Sequence, residues 1–264
     1  MPRWITAIIF TVGLMDHAGP GPKVTLSFAR DTTRLHYAVR EQFAPGATTA
    51  REVSLVWAVW ETIVYVTEEA SDSGPTRLLR VRVDSNQGGS GGDMGTGPYP
   101  GFKALFNDRR QWIDTTTIPD SIVNVFRGIA LNGMIPLPDQ PVGVGDSWTS
   151  DGPMQITHFL GSIRNQRTST GCKVKAIRVV GGDTLVDFDI KVRLHGDYTS
   201  PRGQGPVDLD GTLDGRETFS VSRGVTESLK LAGRLEWEQT HNTPRGPMQV
   251  PVAIDQTIQR TLIP

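Results

Sequence analysis

Only one cysteine occurs in the chain, Cys172. That excludes an internal disulfide, a multi-cysteine zinc or iron–sulfur site, and a lipid-modified cysteine near the N-terminus. Free cysteine is among the most buried residue types, so Cys172 reads as a small core residue, with Lys173 and Lys175 as thin support for a reactive thiol. An excess of one charge is equally lacking: 27 Lys and Arg stand against 28 Asp and Glu, a formal net charge of −1. No broad field is left to gather nucleic acid or anionic lipid. The five histidines, His17, His36, His158, His195 and His241, are scattered, with no pair at the i, i+4 spacing that puts two ligands on one helix face. Rossmann glycine fingerprints, Walker loops, zincin helices and internal repeats are missing as well. On these grounds no cofactor and no metal is expected, and no catalytic residue stands out.

What the chain has in quantity is turn chemistry and alternation. Glycine (29) and proline (18) make up about a sixth of the 264 residues, which fits many turns between strands in a single antiparallel β domain over residues 23–264. Val186, Phe188, Ile190, Val192 and Leu194 alternate with Asp187, Asp189, Lys191, Arg193 and His195, the period of a strand with one face buried. Val207, Leu209 and Leu213 repeat the pattern, as do Leu229, Leu231, Leu235 and Trp237. Glycines at 181, 182 and 224 sit where hairpin turns need positive φ, so neighbouring strands are expected to pair as a meander. Asp183, Asp187 and Asp189 read as a solvated charged face beside Lys191 and Arg193, not as paired catalytic carboxylates.

Earlier strands are expected at Val24 to Phe28, Leu35 to Phe43, Val53 to Thr67 and Leu78 to Val83. The third is apolar on both faces: Leu55, Trp57, Val59, Ile63 and Tyr65 on one side, Val56, Ala58, Trp60, Val64 and Val66 on the other. Such a strand has to be covered twice. One cover is a helix predicted over about 120–132, capped by Asp120 or Ser121, lined by Ile122, Val125, Phe126 and Ile129, and stopped at Asn132-Gly133. A shorter helical turn is expected at Phe102 to Arg109. The resulting fold class is mainly β, an open curved sheet or sandwich with one or two short helices packed on it. Between the halves, the glycine-rich stretch 86–101 lacks the Lys-Ser/Thr ending of a phosphate loop and reads as a surface loop.

Residues 1–22 form a segment of their own. After Arg3 the chain runs uncharged from Trp4 to Met15, then breaks at Asp16, His17 and a Gly-Pro cluster. Twelve residues of helix reach about 18 Å, short of the ~30 Å hydrocarbon core of a membrane. The length suits a signal-peptide core or an interfacial anchor. Cleavage after Ala18 would set Asp16 at the −3 position, where a small residue is wanted, and this weakens the signal-peptide reading. The β-branched run Ile5 to Val12 is also compatible with a strand of the domain.

The triplet Gly145-Asp146-Ser147, followed by Trp148, resembles the Gly-Asp-Ser block of SGNH-type esterases. In that family the serine follows a first parallel strand near the N-terminus, whereas here it follows the proline-rich "IPLPDQP" past the middle of the chain. Glu238 and His241 imitate the family's acid-x-x-His block, but Glu238 falls on the polar face of a strand. The structural reading is a tight turn at Gly143 and Gly145, held by Asp146 or Ser147, with Trp148 plugging the core. "LPDQPVGVGDSWTS" also resembles the Pro-Val-x-Val-Gly-Asp-Ser/Thr-Trp segment of uncharacterised exported bacterial β-proteins, and "FSVSRGVTESLKLAG" resembles their strand-Gly-strand hairpin. The resemblance covers the C-terminal half and implies an open curved sheet with helices on its concave face, an outline shared with periplasmic lipoprotein carriers. It implies fold and no chemistry.

Three functional expectations follow. The first is a non-enzymatic extracytoplasmic (periplasmic) subunit, held at a membrane surface by residues 1–22 and bound to a larger bacterial membrane protein complex, photosynthetic or respiratory. Its partner-binding residues would be Trp4, Ile8, Phe10, Trp57, Trp60, Tyr65 and Tyr99. The second is a periplasmic carrier of an acyl chain or other apolar ligand. A Gly-Asp-Ser esterase stands third. A cavity separates the first two, since a carrier needs an apolar void of ~300 Å³ or more.

Overall fold

The computed structural model describes residues 21–28, 34–46, 60–73, 76–88, 102–115, 133–151, 162–199 and 207–264. They contain eleven strands: β1 (Arg34–Pro45), β2 (Trp60–Ser73), β3 (Thr76–Gly88), β4 (Phe102–Asn107), β5 (Trp112–Thr115), β6 (Ser147–Asp151), β7 (Ser162–Val180), β8 (Asp183–Thr199), β9 (Val207–Ser220), β10 (Val225–Thr243) and β11 (Gly246–Ile263). All pair antiparallel in one open sheet of order β5-β4-β3-β2-β1-β11-β10-β9-β8-β7-β6. Two meanders are therefore joined where β1 pairs with β11, from His36 opposite Ile263 to Pro45 opposite Ile254.

Alternation decides the faces of this sheet. Val186, Phe188, Ile190, Val192 and Leu194 on β8 are buried, as are Leu209 and Leu213 on β9 and Leu229, Leu231, Leu235 and Trp237 on β10. Cys172 is buried beside Ile190, and burial pushes its thiol pKa up, so the thiolate is suppressed. The hairpins turn on Gly181, Gly182 and Gly224 with φ of 60°, 86° and 65°, values that side-chain-bearing residues adopt at a cost.

The sheet is curled. Arg110, just after β4, hydrogen-bonds Glu217 on β9 at 2.8 Å, although β4 and β9 are six positions apart in the strand order. In a flat sheet that separation would be roughly 29 Å, well beyond an arginine side chain. Within the curl, Arg110 also donates to Thr226 Oγ1 at 2.8 Å and lies over the rings of Phe28 and Phe219. A second buried pair, Arg260 on β11 with Glu68 on β2, sits against Tyr37, whose ring centroid is 3.9 Å from the guanidinium carbon. Burial, partly offset by Arg260, raises the Tyr37 pKa to about 12. One end of the curl is bridged by short backbone ties: Phe28 to Asp108, Val24 to Val142, Leu137 to Arg109, and Gly145 to Val174. Leu26, Phe28, Ile135, Leu137 and Val142 on these segments join the strands in one contiguous core.

Several expectations need correction. Phe102 to Asn107 is strand β4, not a helical turn, because Thr76 to Val81 offer it a full antiparallel ladder; Asp108 and Arg109 form the turn that follows. Val24 to Phe28 makes a single bridge, Val24 with Val142, and otherwise bonds to loop backbone, so it is a strap and not a sheet strand. The glycine-rich stretch begins inside a strand: Asn86 to Gly88 pair with Val64 to Thr62. No helix occurs among the described residues; the helix expected at 120–132 lies outside them, though Gly133 beyond it has φ 82°. Of the two-faced strand, 53–59 also lie outside. From Glu61 to Glu69 one face is fully buried (Thr62, Val64, Val66, Glu68), while Ile63 and Tyr65 on the other are half-buried. Among the described residues the architecture is a single open sheet.

Candidate functional site

The turn before β6 is built by Asp146. Its carboxylate accepts from Gly143 N–H at 2.9 Å and pairs with Lys23 at 3.2 Å, and these two partners hold its pKa below the usual carboxylate value. Gly145 takes φ 91°, and Trp148 is half-buried, donating from Nε1 to the Pro136 carbonyl at 3.0 Å and meeting Phe188 edge-on at 5.2 Å. Ser147 is exposed at the start of an edge strand. It lies opposite Lys173, which lies opposite Asp189, and His195 is six residues further along β8, about 20 Å away. Glu238 is exposed on β10, and the His241 side chain lies outside the described residues. Among the described residues no base is hydrogen-bonded to Ser147. Ser147→Ala is therefore expected to change stability by no more than ~0.5 kcal/mol, whereas Asp146→Ala should cost ~1 kcal/mol by freeing the turn. Trp148→Ala should cost ~2–3 kcal/mol, less than a fully buried tryptophan. Urea denaturation of the three variants checks the ranking, and a Ser147 effect as large as that of Trp148 would contradict it.

The outer face of β6 to β10 is charged and grooved. One open groove of about 710 Å³ is lined by Asp151, Arg167, Ser169, Arg193, His195, Asp210 and Thr212, among others. Alongside it, a second of about 700 Å³ takes in Ser147, Thr149, Gly171, Lys173, Asp189, Lys191 and Asp214. A third, about 820 Å³, is acidic, with Asp208, Asp210, Glu236 and Glu238. In the first, His195 Nδ1 lies 2.9 Å from Asp210 Oδ1.

The three strand aspartates form ion pairs, as their face predicts. Asp187 is hydrogen-bonded by Arg178 at 2.8 Å and Thr218 at 2.7 Å, and these outweigh burial to hold its pKa low. At Asp183, burial is the largest influence and acts upward, but hydrogen bonds from Ser220 and Ser222 carry the pKa below its usual value. Asp189 follows the same logic, with Arg216 and Lys175 as its partners. A carboxylate whose folded pKa is depressed adds stability that is present above its unfolded pKa, near 3.8, and is lost as pH falls through the folded value. Asp187→Asn should therefore destabilise the protein at pH 7 and by a smaller margin at pH 3. A margin that does not shrink would rule out this linkage.

Of the residues expected to bind a partner, Trp4, Ile8, Phe10, Trp57 and Tyr99 lie outside the described residues. Trp60 opens β2 opposite Phe43, and Tyr65 is half-buried opposite Ala38. Sequence reasoning missed Arg167 and Arg193 as groove residues, since a charged position on a polar strand face carries no signal of concavity. Among the described residues no group of three or more His, Cys, Asp or Glu is placed to hold a metal ion. No family model matches the chain, and no curated protein matches it.

Proposed function

We propose that this chain is an interaction subunit without catalytic function, held on the extracytoplasmic side of a membrane by residues 1–22 and bound to a larger membrane complex. One observation carries the reading: among the described residues, the inner face of the curled sheet is packed by the chain's own side chains and crossed by its own ion pairs, Arg110 with Glu217 and Arg260 with Glu68. An acyl chain entering there would have to displace buried charge pairs, at a cost of several kcal/mol per ion. Three open grooves among the described residues lie on the outer face, among charged side chains suited to a polar rim contact. The apolar N-terminal segment supplies the membrane contact in this reading.

The test is purification of the full chain from its native membranes in mild detergent, beside a version lacking residues 1–22. A stoichiometric complex with the full chain, and a folded protein that no longer fractionates with membranes after the deletion, is the expected result. A full chain that purifies alone with extractable fatty acyl ligand, detected by mass spectrometry, would overturn the reading in favour of a carrier.

A further inference from the structure

We propose that the outer trough over β6, β7 and β8 is the docking site for an acidic, extended segment of a partner protein. This rests on the reading of the chain as an interaction subunit and names the partner's chemistry. Across the β7/β8 ladder, Arg167 faces His195, Ser169 faces Arg193, Gly171 faces Lys191 and Lys173 faces Asp189. Four cations, Arg167, Arg193, Lys191 and Lys173, therefore form an arc around a floor of two small residues, Ser169 and Gly171. These residues line the two adjoining grooves. A β-carbon on Gly171 would come no closer than 3.9 Å to its nearest neighbour, so the floor is open.

Most of the carboxylates nearby already have partners. Asp189 is shared by Lys175 at 3.3 Å and Arg216 at 3.1 Å, Asp187 is held by Arg178, and Asp210 is held by His195. Asp214 reaches Lys191 only at 3.9 Å. Among the described residues, Arg167, Arg193 and Lys173 have no carboxylate within ion-pair distance, and Asp151, opposite Ser169, lines the groove without a Lys or Arg partner. Asp151 marks the rim on the β6 side and steers an acidic ligand toward β8.

Spacing separates a segment from a single ion. From Arg167 to Lys173 the arc runs six residue steps along β7, roughly 20 Å, which one phosphate cannot span. An extended chain repeats its side chains about every 6.8 Å, the same interval that separates Arg193 from Lys191 on β8. Carboxylates at alternate residues would thus meet successive cations, and the two guanidiniums offer forked, bidentate donors.

The experiment is a fluorescence anisotropy titration of a labelled peptide of alternating Glu and Ser, about ten residues long, with the full chain at low ionic strength. Saturable binding is expected, weakened at least tenfold by the double substitution Arg167→Gln/Arg193→Gln and unchanged by Lys230→Gln, an exposed lysine on β10. Inorganic phosphate at matched charge should compete poorly. The proposal is overturned if the peptide does not bind, if Lys230→Gln weakens it as much as the groove pair, or if phosphate competes as well as unlabelled peptide. It is likewise overturned if phosphatidylglycerol vesicles, and not the peptide, distinguish wild type from the groove variant. Circular dichroism of each variant confirms the fold. Because the titration uses the isolated chain, its failure strikes the trough alone, whereas failure to purify a membrane complex strikes the subunit reading alone.

Discussion

Arg110→Met is expected to lower the unfolding free energy by ~3–5 kcal/mol, because it leaves the Glu217 carboxylate buried without its cation. Arg110 and Glu217 are almost wholly inaccessible, with side-chain exposures of 2 % and 0 %, so water cannot take the place of the lost partner. The turn geometry is not the cause: Arg110 has φ 57°, and methionine meets the same backbone cost as arginine. A double substitution, Arg110→Met with Glu217→Leu, should recover most of the loss, since removing both charges removes the desolvation penalty together with the attraction. Thr226, which donates to Glu217 at 2.6 Å, then keeps one unmet hydroxyl, so recovery stops short of wild type by ~1 kcal/mol. Urea unfolding of the two single variants and the double completes the cycle. If Arg110→Met costs under ~1 kcal/mol, the pair does not hold the curl shut.

Gly215→Ala and Gly233→Ala should each cost ~2–3 kcal/mol, at the upper end of the overpacking range. A β-carbon on Gly215 would fall 1.9 Å from the Lys230 carbonyl oxygen, and one on Gly233 would fall 1.9 Å from the Thr212 carbonyl oxygen. Both obstacles are backbone of the neighbouring strand, so no rotamer change relieves them. Gly215 lies opposite Leu231 and Gly233 opposite Leu213, which places the two glycines on opposite strands of the β9/β10 ladder where the two backbones approach closely. Gly171, in the outer trough, is the control: alanine there meets nothing closer than 3.9 Å, and its thermal midpoint should stay near that of wild type. Equal losses at all three positions would show that the effect is strand propensity and not close backbone approach.

Both results bear on what could be read from the chain as a string of residues. In β8, β9 and β10 the period-two pattern named most of the buried apolar side chains, because an apolar residue facing a core and a polar residue facing water differ in chemistry at every second position. The Asp146 turn, the buried Cys172 and the glycine hairpins were legible for the same local reason: each depends on a few neighbouring residues. Glu217, Arg260, Glu68 and Arg110 were not. A charged residue on a strand reads as solvent-facing, and it stands inside only because an opposite charge arrives from a remote segment: 107 residues separate Arg110 from Glu217, and 192 separate Arg260 from Glu68. The strap at Val24 to Phe28 and the strand at Phe102 to Asn107 were misread on similar grounds, since what decides each is which backbone groups lie within reach. The sequence by itself determined an antiparallel, one-face-buried sheet with its turns and most of its apolar core, all of them short-range consequences of alternation and backbone freedom. Tertiary structure alone decided how that sheet curls, where its ends are tied, which charges lie inside and which outer cations share a groove, because each of these depends on distances between residues that the chain's order leaves far apart.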